Sequence, residues 1–208
     1  MEGIFAVYKP KGMRSHDVVY HVRRITGVKR VGHGGTLDPL AEGVLVIAVG
    51  RENTRLLDQY VKGEKEYVAT IFLGATSTTD DEEGDIQIVN ENIKPSLSEV
   101  EEVIKKFIGN IEQIPPIYSS IKIKGRPAHR RVRKGETVTL DSRTVIINSI
   151  IIDHYDYPIL QLKISCGSGV YIRSLARDIG KELGTGGYLK GLIRTRVGNF
   201  TIDKAITL

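Results

Sequence analysis

Among its 208 residues the sequence holds a single cysteine, Cys166, so no internal disulfide can brace the fold. No apolar run comes close to the ~20 residues that a helix needs to cross a bilayer. The first residues, Met1-Glu2-Gly3-Ile4-Phe5, lead directly into a strand pattern without the basic-then-apolar order of a secretory signal. The five histidines show no metal-ligand spacing. Phosphate-loop, dinucleotide-binding and nucleophile-elbow motifs are all missing, as are internal repeats and low-complexity tracts. These absences leave the expectation of a cytoplasmic protein that uses neither metal nor cofactor.

What is present is ordinary in amount and uneven in distribution. Apolar residues make up 40% and charged residues 26%, a balance typical of globular proteins. The length suits one sizeable core or at most two small domains; a single domain over 1–208 is expected, with no further RNA-binding domain at its C-terminal end. The net charge of +5 is moderate. However, Lys122, Lys124, Arg126, Arg130, Arg131, Arg133, Lys134 and Arg143 stand against only Glu136 and Asp141, while acids gather at 80–83 and 99–102. Such segregation implies one positive face suited to a polyanion, although a charge run by itself is commonly just solvated. Lys190, Arg194 and Arg196 are expected to extend that surface.

One stretch organises the rest: Val31-Gly32-His33-Gly34-Gly35-Thr36-Leu37-Asp38-Pro39-Leu40-Ala41-Glu42-Gly43-Val44-Leu45. Glycine before Asp38 lets the backbone take positive φ and approach a ligand closely. Pro39 disfavours the α region at Asp38, which therefore sits on extended or turn backbone. The apolar run 44–49 reads as a buried strand and a rigid base for the loop. A carboxylate presented this way suits catalysis or ligand binding. Taken alone, Asp before Pro equally well starts a turn.

Periodicity predicts strands at 4–8, 64–73, 144–152 and 159–166. The first helix is expected over 15–26, with Ser15 as N-cap, Val18, Val19, Val22 and Ile25 as its apolar stripe, and Gly27 as its stop. A second is expected over 52–61. A third, over 96–109, has a capping box from Ser96 to Glu99 and a stripe of Leu97, Val100, Ile104, Phe107 and Ile108. In the 64–73 strand Tyr67, Ala69, Ile71 and Leu73 share a face. Residues 166–180 read as strand, glycine turn and helix, the helix anchored by Ile172, Leu175, Ile179 and Leu183.

The run from Gly32 to Leu45 resembles the G-H-x-G-[TA]-L-D-P-x-A-x-G-[VM]-L signature of the TruB family, the tRNA pseudouridine-55 synthases. The resemblance extends through Lys9-Pro10-x-Gly12-x-x-Ser15, Lys65-x-Tyr67, Pro115-x-x-Tyr118-Ser119, Tyr171-Ile172-Arg173 and Leu192-x-Arg194-Thr195-x-x-Gly198. Departures are Arg14, Ser120, His129, Val132, Gly167 and Val170. The resemblance implies the pseudouridine synthase catalytic fold: α/β, with a mixed, largely antiparallel sheet flanked by helices and an RNA-gripping insertion near 118–140.

By that resemblance Asp38 is the catalytic residue, Arg173 its charge partner, and Tyr67 an active-site aromatic that stacks on the base. His33 resembles the histidine that fills the gap left by an extruded nucleotide; as a residue alone it could equally be a turn histidine bonded to backbone. Lys9 and Tyr171, from family motifs, and Lys122, Arg126, Arg130, Arg131, Arg133 and Lys134, from the basic run, are the expected RNA contacts. The implied substrate is the T-arm stem-loop of tRNA, acted on by a monomer without a protein partner or membrane. Two alternatives stay open: a guide-RNA-directed pseudouridine synthase, whose L-D-P loop is closely similar, and a non-catalytic tRNA-folding chaperone.

Overall fold

A computed structural model describes residues 2–89, 93–119, 121–123, 125–132 and 135–208. In chain order its elements are β1 (Gly3–Lys9), α1 (Ser15–Thr26), β2 (Val31–Gly34), β3 (Ala41–Val49), α2 (Arg51–Val61), β4 (Lys65–Leu73), β5 (Ala75–Ser77) and β6 (Ile86–Ile88). There follow α3 (Leu97–Lys105), β7 (Gly109–Gln113), β8 (Lys122–Ile123), β9 (Arg126–Pro127), α4 (Ala128–Val132), β10 (Arg143–Asp156) and β11 (Ile159–Cys166). The chain ends with α5 (Ile172–Glu182), β12 (Gly187–Val197), β13 (Phe200–Thr201) and β14 (Ile206–Thr207). The largest sheet has the order β14-β1-β3-β12-β4-β11-β10-β7, with β2 on β3 and β13 on β12. It is mixed as expected: β1–β14 and β3–β12 are parallel, while β1–β3, β2–β3, β12–β13 and β7–β10 are antiparallel.

Two compact units are discernible. The first comprises Met1–Ala69, Lys163–Ser168 and Gly191–Leu208. Its centre is β3, where every residue from Val44 to Val49 is fully buried. Leu45, Ile47 and Val49 pack with Val18, Val19 and Val22 of α1. Val44, Val46 and Ala48 turn the other way and meet Leu57 of α2 and Val197. The unbroken apolar run thus arises because alternate side chains of a strand serve opposite faces, and here both are covered.

Helix α1 departs from its expected details at both ends. Ser15 is its first helical residue and Arg14 the N-cap. The Ser15 hydroxyl is engaged elsewhere, donating to the Leu37 carbonyl and accepting from the Leu37 amide, both at 2.9 Å. Ile25, in the last turn of the helix, is 74% exposed. Gly27 does end the helix, with a left-handed φ of 69°.

The second unit comprises Thr70–Leu162 and Gly169–Lys190. Ser96 caps α3 through the expected box with Glu99, but the helix stops at Lys105. Gly109, at φ +98°, opens β7 instead, so Leu97 and Ile108 lie exposed at the helix ends and Val103 joins Val100 and Ile104 in the core. β8 and β9 pair antiparallel and the short α4 follows them, within the stretch 118–140 expected to be an insertion.

Candidate active site

Asp38 sits on the loop between β2 and β3 and is half-buried. Each of its neighbours is tied down. Leu37, before it, is held by Ser15. The Pro39 carbonyl, after it, accepts from the Gly12 amide at 2.7 Å and, at the long limit of 3.5 Å, from the Lys9 ammonium. Asp38 itself closes a turn, its carbonyl accepting from Ala41 N at 3.1 Å. The sequence therefore encodes the turn and presents the carboxylate at the same time; the two readings of Asp38 are not exclusive.

Lys9, expected among the RNA contacts, has no exposed surface. Its ammonium donates to the Met13 carbonyl at 2.6 Å and the Pro10 carbonyl at 3.0 Å, besides Pro39. Burial pushes its pKa down to about 8, opposed by the charges of Asp38 and Glu42. In this position it braces the Asp38 loop, not a phosphate. Glu42 is in turn bound by the Tyr8 hydroxyl at 2.7 Å.

Tyr67 is buried on β4 and belongs to the same unit as Asp38. Burial raises the pKa of its phenol; the charge of Arg194 opposes that shift, and that of Asp38 adds to it. The phenol therefore stays protonated at neutral pH. Arg194 is not the surface cation expected of it: it is 1% exposed. Its Nε donates to the Val44 carbonyl at 2.8 Å and its Nη2 to the Gly35 carbonyl at 2.6 Å. Sequence reading misses this residue, although a signal is present, since period two on β12 puts Arg194 on the buried face with Leu192.

His33 lies on β2, half-buried. Burial, then the positive charges of His16 and Arg194, lower its pKa and keep the imidazole neutral. Its buried Nδ1 has no hydrogen-bond partner among the described residues, so a turn histidine satisfied through that atom is not what the structure holds. Cys166 is buried and its thiol is pushed up to about 12 by burial, which removes it as a nucleophile at neutral pH.

In the second unit Arg173 is the second residue of α5 and is buried. It pairs with Asp81 at 3.4 Å and donates to the carbonyls of Thr79 at 3.1 Å and Tyr118 at 3.0 Å. Next to it Arg177 meets Asp80 and Asp178, both at 2.9 Å. The acids at 80 and 81 are therefore internal counter-ions, not part of a solvated loop. Tyr171, the N-cap of α5, is clamped through its backbone by the Gln113 side chain.

Of the basic run, Lys122 falls on β8, Arg126 on β9 and Arg130 on α4. Arg131 binds Glu136 at 2.6 Å; Arg133 and Lys134 lie outside the described residues. Arg196 is held by Glu64 at 3.0 Å and Glu66 at 2.7 Å. Among the described residues no group of three or more His, Cys, Asp or Glu could hold a metal ion, and no helix is long and apolar enough to cross a membrane.

Comparison with known proteins shows the family of the chain. A profile described as TruB family pseudouridylate synthase (N terminal domain) matches residues 23–172, and one described as tRNA pseudouridylate synthase B C-terminal domain matches 173–208. The chain is 47% identical over 211 residues to tRNA pseudouridine synthase B of Trichormus variabilis, covering 100% of this chain and 71% of that protein. With the protein of the same name from Corynebacterium diphtheriae it shares 47% over 220 residues, 99% of this chain and 71% of the other. Among solved structures it resembles a chain of a Cbf5-Nop10-Gar1 complex, with TM-score 0.77 and 31% identity over 99% of this chain and 52% of that one. A chain of an H/ACA RNP bound to a substrate RNA containing 2'-deoxyuridine gives TM-score 0.72 and 29% identity over 99% and 50%. This chain thus spans about half the length of those solved chains.

Proposed function

This chain belongs to the TruB family of pseudouridylate synthases, and from that premise we propose that it converts a uridine in the T-arm loop of tRNA to pseudouridine. The observation that carries the proposal is Asp38: a carboxylate on a loop fixed at both neighbours, in one unit with the buried Tyr67 and Arg194. The isomerisation breaks the bond from N1 of uracil to the ribose, turns the base and joins C5 to the same ribose carbon. N1 takes up a proton and C5 gives one up, so no co-reactant is consumed. A carboxylate serves such a reaction as a nucleophile that adds covalently and leaves again.

The target base is stacked in the folded arm and has to be flipped out, at a cost of a few kcal/mol. His33, neutral and with a buried Nδ1 to satisfy, is the residue we assign to the vacated space. Tyr67 offers a ring for the extruded uracil, and its protonated phenol can hydrogen-bond without adding negative charge beside Asp38. Arg173 keeps in this proposal the charge-partner role that the family motif implies, its guanidinium oriented by Asp81. Arg126, Arg130 and Arg131, with Lys122, supply the phosphate contacts, through backbone and shape as is usual for structured RNA. The proposal extends to a monomer working in the cytoplasm.

Incubating the protein with a bare T-arm stem-loop transcript tests this reading. Pseudouridine formed without guide RNA or partner protein supports it. No product from that transcript, with product appearing once a guide RNA is added, would favour a guide-RNA-directed enzyme.

A further inference from the structure

We propose that Arg194 is a positioning residue for the chemical step, tying the start of the Asp38 loop to β3 beside the phenol of Tyr67. This inference rests on the reading of Asp38 as the nucleophile with Tyr67 beside the base, and adds to it a residue that touches neither base nor ribose. The two carbonyls it holds, Gly35 and Val44, lie three residues before and six after Asp38. The Arg194 charge also acts on the Tyr67 phenol, opposing the rise in pKa that burial causes there. A planar fork with five donors can serve both carbonyls in fixed directions, which a lysine cannot reproduce.

The surrounding backbone is shaped to admit it. Gly35 has φ +66°, and a Cβ there would sit 3.3 Å from Arg194 Nη1. Gly43, paired with Arg194 across β3 and β12, has φ +103°, and a Cβ there would fall 2.3 Å from the Arg194 carbonyl oxygen. A glycine of the loop and one of β3 thus make room for one arginine, its side chain at the first and its backbone at the second. A buried guanidinium is costly unless its donors are satisfied, and here its acceptors frame the proposed reaction centre: the Gly35 carbonyl that opens the Asp38 loop and the Val44 carbonyl of the strand that follows it. A stabilising core residue of the same size would need none of them.

Two measurements test this. Single-turnover rates and RNA dissociation constants are compared for wild type, Arg194→Lys, Tyr67→Phe and the double variant. We expect Arg194→Lys to slow the step at least ten-fold with the dissociation constant unchanged within two-fold, and the double variant to be no more than two-fold slower than the slower single. Rate and affinity falling together, an unchanged rate, or effects that multiply would overturn the proposal. The second measurement leaves Arg194 in place and needs no activity: ¹⁵N NMR of its side-chain Nε–H and Nη–H groups in wild type and Tyr67→Phe. Slow hydrogen exchange in wild type, with a shift of these signals on loss of the phenol, is expected even if the proposed substrate is wrong. Fast exchange, or signals that ignore the phenol, would contradict this placement.

Discussion

Ser15 and Leu37 exchange two hydrogen bonds at 2.9 Å, the serine hydroxyl donating to the carbonyl and accepting from the amide. One side chain at the start of α1 thereby replaces a rung of backbone pairing for the residue that precedes Asp38. The loop needs such help because it belongs to no ladder between Gly34 and Ala41, and buried backbone groups left unpaired would each cost about 1–3 kcal/mol.

Gly43→Ala should be among the most damaging single-methyl changes in the chain. The new Cβ would lie 2.3 Å from the Arg194 carbonyl oxygen on a backbone at φ +103°, so β3 and β12 would have to separate. Strain at such a position together with overpacking amounts to roughly 2–4 kcal/mol. Urea denaturation should show the midpoint falling accordingly; a loss under about 0.5 kcal/mol would contradict the close approach.

The Lys9 ammonium should make stability rise with alkaline pH. Its folded pKa of about 8 lies below its ordinary value of 10.5, so between those values the unfolded chain binds more protons than the folded one. Unfolding free energy then rises with pH across that window, by at most about 1.4 kcal/mol per unit. The cost of the buried charge is fully present below pH 8. Denaturation of wild type and Lys9→Met from pH 7 to 10 should show wild type gaining on the variant. A constant difference would mean that Lys9 is not desolvated as described.

The Arg173–Asp81 pair is almost wholly buried, with side chains 7% and 3% exposed. Removing one partner leaves an uncompensated charge, so Asp81→Ala should cost about 3–5 kcal/mol. The same substitution at Glu102, exposed and paired with Lys105, should cost under about 1 kcal/mol. Equal losses by chemical denaturation would place Asp81 at the surface.

Arg130→Glu with Arg131→Glu should weaken RNA binding in a salt-dependent way. Every phosphate that the variant no longer neutralises makes the dependence of log K on log salt shallower by roughly 1. Filter binding between 50 and 200 mM salt reads both affinity and slope. Unchanged affinity at the low-salt end would remove this segment from the RNA-binding surface.

Much of the fold and part of the site are legible in the sequence, for reasons specific to each element. The β3 run and the β4 alternation state burial directly, and the Ser96–Glu99 box states a helix start. What misleads is polar chemistry used at long range. Ser15 reads as an N-cap from its neighbours, but its partner is 22 positions away. Arg194 reads as a cation among cations, whereas its acceptors at Gly35 and Val44 lie 159 and 150 positions away. Lys9, expected as an RNA contact from its family motif, is misplaced because a motif carries no record of whether carbonyls converge on the charge. The helix expected over 96–109 is too long because apolar residues continue past Lys105 while the backbone turns at Gly109.

The central claim is that the carboxylate of residue 38 performs the chemistry. Tritium released from a T-arm stem-loop carrying 5-tritiated uridine measures loss of the C5 proton directly, for wild type against Asp38→Asn. The account predicts release by wild type and none above background by the variant, with both binding the stem-loop within a few-fold. Release by Asp38→Asn at the wild-type rate would contradict it.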